Sequence, residues 1–125
     1  MPAAASVTMC PSLWRVHRFE VWSGERVCAV EALRMQDSLL LWLGAAGAGG
    51  AGAALGEVAL GAGGAATALR AGGAGEGRAE GLARRLSAAL ARPVHVCLSA
   101  PLDRFTAPLL ERALVAEIKS RPECF

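Results

Sequence analysis

The sequence predicts an α+β fold with the element order β-β-β-β-β-α-β-α. Three observations carry that reading. Period-two apolar patterns fill the first part of the chain, period-3.6 patterns begin only near residue 80, and Gly, Ser, Asp or Pro separates consecutive segments. A run of strands followed by helices favours an antiparallel α+β arrangement over a doubly wound parallel sheet.

Each element has its own warrant. Residues 1–13 hold Pro2, Pro11 and small side chains and predict a disordered tail, leaving 14–125 as a single domain. From Val16 to Val21 the chain alternates, with His17, Phe19 and Val21 on one side and Arg18 and Glu20 on the other, as a half-buried strand does. Ser23-Gly24 supplies a turn, and Val27 to Met35 makes a second strand. Gln36-Asp37-Ser38 is a tight connection. Leu39 to Leu43 is apolar on both faces and predicts a central strand covered on both sides.

Residues 44–77 contain 13 Gly and 13 Ala. Within them, 45–54 read as a flexible Ala/Gly loop, because Gly loses most on ordering and Ala buries little. The islands Leu55–Leu60 and Ala65–Arg70 are assigned as strands by their place in a meander, since propensity argues against them. Glu80 to Leu90 carries Leu82, Leu86 and Leu90 at helical spacing, and Pro93 stops it. Val94 to Ser99 is a strand. Thr106 is the expected N-cap of a last helix with Pro108 in its first turn and Leu110, Leu114 and Ile118 as its stripe, closed by Pro122.

Composition narrows the function classes. In 125 residues, 13 basic and 11 acidic side chains leave a net charge of +2, which gives no strong attraction to nucleic acid or to a membrane surface. Ala supplies 27 of the apolar residues, so 40 larger side chains remain, enough for one modest core. Asn and Tyr are absent while Lys and Ile occur once each, a bias toward residues with G/C-rich codons that lowers the information in any Gly or Arg cluster. The start of the chain lacks a basic region and an apolar run of signal-peptide length. The uncharged stretch 38–56 is mostly Gly and Ala and predicts no membrane span. Cys10, Cys28, Cys97 and Cys124 form no CxxC pair and read as reduced thiols of a cytoplasmic protein, with the nucleus as a second compartment.

No catalytic constellation emerges, and no metal or cofactor site is assigned. Gly47-Ala48-Gly49-Gly50-Ala51-Gly52 matches GxGxxG after a strand, but the helix it requires would be riddled by Gly56, Gly61, Gly63 and Gly64. His95 and Cys97 share one side of a strand, yet no other ligand pair accompanies them, and a buried Cys beside a hydrogen-bonded His is the better reading. Arg78, Arg84, Arg85 and Arg92 make a basic helix neighbourhood without interleaved aromatics. It reads as a solvated face, with Arg84 and Arg85 the candidates for meeting an acidic protein partner.

Arg34-Met35-Gln36-Asp37-Ser38-Leu39-Leu40-Leu41-Trp42-Leu43-Gly44 resembles a strand–turn–strand signature of the proteasome assembly chaperone 4 family. Gly81-Leu82-Ala83-Arg84-Arg85-Leu86 with Pro93-Val94-His95-Val96, and Leu109-Leu110-Glu111 through Pro122-Glu123-Cys124-Phe125, resemble that family's later segments. The similarity runs with gaps from Val16 to Phe125, and departs from the family over the Ala/Gly residues 45–75. The resemblance implies an antiparallel β-sandwich flanked by two helices. It also implies a non-enzymatic chaperone that pairs with proteasome assembly chaperone 3 and guides the α-subunit ring of the 20S proteasome near its α5 subunit. A stand-alone RNA- or small-ligand-binding domain is the alternative. Since the two helices can cover only one face of the Leu39–Leu43 strand, Leu40 and Trp42 are expected in or beside the apolar contact with chaperone 3.

Overall fold

The computed structural model describes residues 6–23, 26–45, 55–70, 78–99 and 104–125. They form β1 (Arg15–Ser23), β2 (Arg26–Arg34), β3 (Leu39–Ala45), β4 (Glu57–Ala62), β5 (Ala65–Arg70), α1 (Arg78–Leu90), β6 (Val94–Leu98) and α2 (Thr106–Ser120), with a 3-10 turn at Pro122–Cys124. The element order is the expected one. Residues 6–13 are exposed and carry no regular structure, and the loop expected at 45–54 lies outside the described residues apart from Ala45, which ends β3.

The six strands hydrogen-bond into one sheet in the order β1-β2-β3-β6-β4-β5. Four neighbouring pairs are antiparallel and one, β3 with β6, is parallel. The described residues thus form a single mixed sheet, where the element order favours an antiparallel arrangement and the family resemblance implies an antiparallel sandwich. The reason is connectivity. The chain leaves β3, makes the β4–β5 hairpin and α1, and returns as β6 between β3 and β4, the long crossover that a parallel pair requires.

Alternation assigns the two faces. One carries Phe19 and Val21, Cys28, Val30 and Ala32, Leu39, Leu41 and Leu43, Val94, Val96 and Leu98, and Ala59. These pack with Ala79, Leu82, Ala83 and Leu86 of α1, Leu110 and Leu114 of α2, and Phe125 in one core. Both helices therefore lie on the same side of the sheet, α1 over β4, β5 and β6 and α2 over β1. Burying each of these leucines contributes roughly 1.5–3 kcal/mol. His17 and Phe19 stack at 4.9 Å, and Phe125 meets both rings edge-on, which closes the core at the β1 side.

The Ala/Gly tract has a structural use that nucleotide bias does not explain. A Cβ on Gly61 would collide with the backbone carbonyl of Ala83, so α1 rests directly on the β4 backbone. Gly63 and Gly64, both at positive φ, make the two-residue turn between β4 and β5, the left-handed pair that a tight hairpin demands. Buried Ser87 ties that turn to α1: its Oγ accepts from the Gly64 N–H at 3.3 Å and donates to the Arg84 carbonyl at 3.0 Å. At the start of α1, the Ala79 N–H donates to Glu57 Oε1 at 3.1 Å, satisfying one of the open donors of a helix N-terminus. α2 starts one residue earlier than expected: Thr106, the expected cap, is already helical, and Phe105 occupies the cap position without a side-chain capping bond among the described residues.

Candidate functional site

The other face of the sheet carries the residues of opposite parity. Register aligns Val16, Leu33, Leu40, His95, Leu60 and Thr67 across all six strands as one row. The next row is Arg18, Glu31, Trp42, Cys97 and Val58. Neither Trp42 nor Cys97 belongs to the core that the helices share, although both are buried. No described helix or strand packs on this side. Leu33, Leu40, His95, Val58 and Leu60 are half-buried, while Val16 at 57% and Trp22 at 68% exposure lie open at the β1 margin. Among the described residues, the one ion pair on this face, Arg18 Nε to Glu31 Oε1 at 2.9 Å, lies toward the β1 edge.

Leu40 and Trp42, the two residues expected at an apolar contact, are together on this face of central β3. Their exposures differ. Trp42 is only 8% exposed, and its indole folds back along its own strand onto Gly44, where a Cβ would collide with the ring. It forms the floor of the face, and Leu40 with its row neighbours forms the upper surface.

Arg84 and Arg85, the other candidates, lie on the helix side, away from Leu40 and Trp42. Both are exposed and both are paired: Arg84 with Glu80 at 3.6 Å within α1, Arg85 with Glu111 of α2 through two bonds of 2.5 and 2.8 Å. The Arg85–Glu111 pair spans a cavity of about 200 Å³ between the helices, lined also by Arg78, Leu82, Leu98 and Leu110. The structure thus separates the candidates into an apolar surface on the sheet and a charged one on the helices.

His95 and Cys97 share the open face, but no group of three metal-ligating side chains occurs among the described residues. Burial pushes both the Cys97 and Cys28 thiols up, the latter opposed by a hydrogen bond from the Gly44 backbone, so both are neutral and poor nucleophiles at neutral pH. Among the described residues, no helix is long and apolar enough to cross a membrane. Sequence reasoning prefers a buried Cys97 beside a hydrogen-bonded His95 to a metal site, whereas Cys97 is buried and His95 Nδ1 has no hydrogen-bond partner, and it does not place Leu33, Val58 and Leu60 beside Leu40. The available signal was the shared parity of Val58 and Leu60, and of His95 and Cys97, in short strands.

No protein-family model matches this sequence, and no curated protein does. Eight chains of solved structures match it. One belongs to a structure described as the crystal structure of a novel chaperone complex for yeast 20S proteasome assembly. It aligns with a TM-score of 0.53 and 14% identity over 90% of this chain and 94% of that one. At that identity the likeness is one of fold, and it extends over nearly the whole of both chains.

Proposed function

We propose that this chain is an assembly chaperone of the 20S proteasome, working in the cytoplasm and nucleus as a heterodimer with proteasome assembly chaperone 3. The heterodimer guides the α-subunit ring at its α5 subunit and leaves before the particle matures. The observation that carries this reading is the apolar sheet face over Leu33, Leu40, Val58 and Leu60, without a covering element among the described residues. A sheet of six strands is about 24 Å wide. With strands of five to nine residues, the face is comparable in size to what one partner gives to a standard interface. The fold shared with a chain of a yeast proteasome-assembly chaperone complex supports a role in proteasome assembly, and the choice of chaperone 3 comes from the sequence resemblance. The paired Arg84 and Arg85 on the opposite side offer a more polar surface of the kind suited to a client that must be released. Nothing in this role requires bond chemistry, and the reading assigns none.

The test is co-expression with chaperone 3. A stable 1:1 complex that associates with α-ring intermediates and is absent from mature particles is the expected result. Leu40→Asp is expected to abolish the complex while the isolated chain keeps its circular dichroism spectrum, because a carboxylate would have to be desolvated at the centre of an apolar contact. A complex that forms normally with Leu40→Asp, or co-purification with nuclease-sensitive RNA in place of chaperone 3, refutes the proposal.

A further inference from the structure

At the middle of the open face stands an imidazole. His95 lies between Leu40 on β3 and Leu60 on β4 in one row, with Leu33 one strand further on. Its Nδ1 is buried and has no hydrogen-bond partner. The residue as a whole is half-buried, and no described helix or strand covers it.

Its described neighbours on this face are uncharged. On the same face, β3 presents Leu40, Trp42 and Gly44, β4 presents Val58 and Leu60, and β6 itself presents Cys97, whose thiol burial keeps neutral. No carboxylate occurs among these. The nearest on this face in a paired strand is Glu31 of β2, beyond β3, and it is bonded to Arg18. An imidazolium here would place one N–H donor at the unpartnered Nδ1 and would keep the other only while water reaches it.

We infer that His95 makes docking on this face pH-sensitive, an apolar partner closing over the neutral ring and excluding the protonated one. The inference rests on the docking reading above. Covering the face removes the remaining solvent from the ring, and a charge sealed there without a counter-ion is costly. The open chain can therefore bind a proton that the complex cannot. By linkage, affinity falls as pH drops through the histidine range and is regained as pH rises.

The experiment measures the affinity of the full chain for chaperone 3 at pH 7.5 and 5.5, for wild type, His95→Phe and His95→Gln. Wild type is expected to bind more weakly at pH 5.5 than at pH 7.5, by more than about twofold. Neither variant titrates, so whichever of them folds should bind with little change between the two pH values. The chain's other histidine, His17, serves as control: it lies on the helix side, bonded to Glu117 Oε1 at 3.0 Å, and His17→Gln should keep the pH dependence. A wild-type affinity that changes less than twofold, or a drop that survives in both His95 variants, overturns the inference. Leu40→Asp at pH 7.5 separates the two readings. If it abolishes binding and wild type shows no pH effect, the face docks and His95 is not its sensor. If it binds normally, or wild type does not bind at any pH, the docking reading fails and this inference with it.

Discussion

Gly61→Ala decides whether the Ala/Gly tract is compositional drift or a packing requirement. Glycine in an ordinary strand is a weak choice, and replacing it with Ala commonly gains about 0.5–1 kcal/mol. At Gly61 the new methyl would meet the carbonyl of Ala83, which belongs to the helix backbone and cannot rotate away. α1 must then lift from β4 and loosen its contacts through Ala79 and Ala83, both fully buried. Forcing a methylene-sized group into a packed core costs about 1–3 kcal/mol. In a domain of this size, 2 kcal/mol lowers the melting temperature by about 6–10 °C. Gly63→Asn is the matched control. The position has φ +58° and nothing within 4 Å of a Cβ, and Asn accepts left-handed backbone, so its effect should stay within about 0.5 kcal/mol. Thermal and urea denaturation of the isolated chain followed by circular dichroism measure both. A Gly61→Ala protein as stable as wild type, or more stable, would refute the claim that the helix needs this glycine.

Thiol labelling gives a second expected outcome: in the native chain exposed Cys10 reacts first, whereas buried Cys28 and Cys97 react only through opening. Adding chaperone 3 should further slow Cys97, which lies on the open face, relative to Cys28, which lies under the helices; mass spectrometry of the alkylated protein reads the two sites separately. Arg85→Ala removes an exposed pair with Glu111, so a loss below about 1 kcal/mol is expected in denaturant melts, and a larger one would mean that this pair fastens α1 to α2.

The elements with strong periodicity were legible to within two or three residues, because parity and helical spacing are local. β1, β2 and β3 follow from the alternation of His17, Phe19 and Val21 and from the apolar runs after Arg26 and Ser38. Both helices follow from their leucine spacing. What was not legible is non-local. Nothing in Val94–Leu98 specifies whether it joins β3 in parallel or an edge in antiparallel sense, and that one pairing makes the sheet single and mixed. The β4–β5 hairpin looked unsupported by propensity, yet Gly63-Gly64 is a recognised sequence signal for a tight hairpin and was obscured by the glycines around it. Of the candidate face, the two-faced apolarity of β3 marks Leu40 and Trp42 as one side of that strand. Leu60, Val58 and His95 are not marked, because they come beside it only through the β3–β6 and β4–β6 pairings.

That pairing also accounts for the open face. α1 joins β5 to β6 and α2 follows β6, and both settle on one side of the sheet, where Leu39, Leu41 and Leu43 meet Leu82, Leu86, Leu110 and Leu114. A strand apolar on both sides thereby has one side sealed, and among the described residues the other carries one largely aliphatic row broken by His95 beside a second row of Arg18, Glu31, Trp42, Cys97 and Val58. An unsealed sheet face of this kind invites association, so its apolar character is an advantage only where a specific cover exists. Arg18 and Glu31 place a charged pair beside exposed Val16 and Trp22 at the β1 margin, so the apolar centre is bordered there by a mixed edge that carries rim charge. Reversing that pair to Arg18→Glu with Glu31→Arg should leave the isolated fold intact and alter the rate of docking more than its final strength, because rim charges act chiefly on encounter. Stopped-flow association with chaperone 3 at low and high salt reads this, and an unchanged association rate at low salt would place the rim elsewhere.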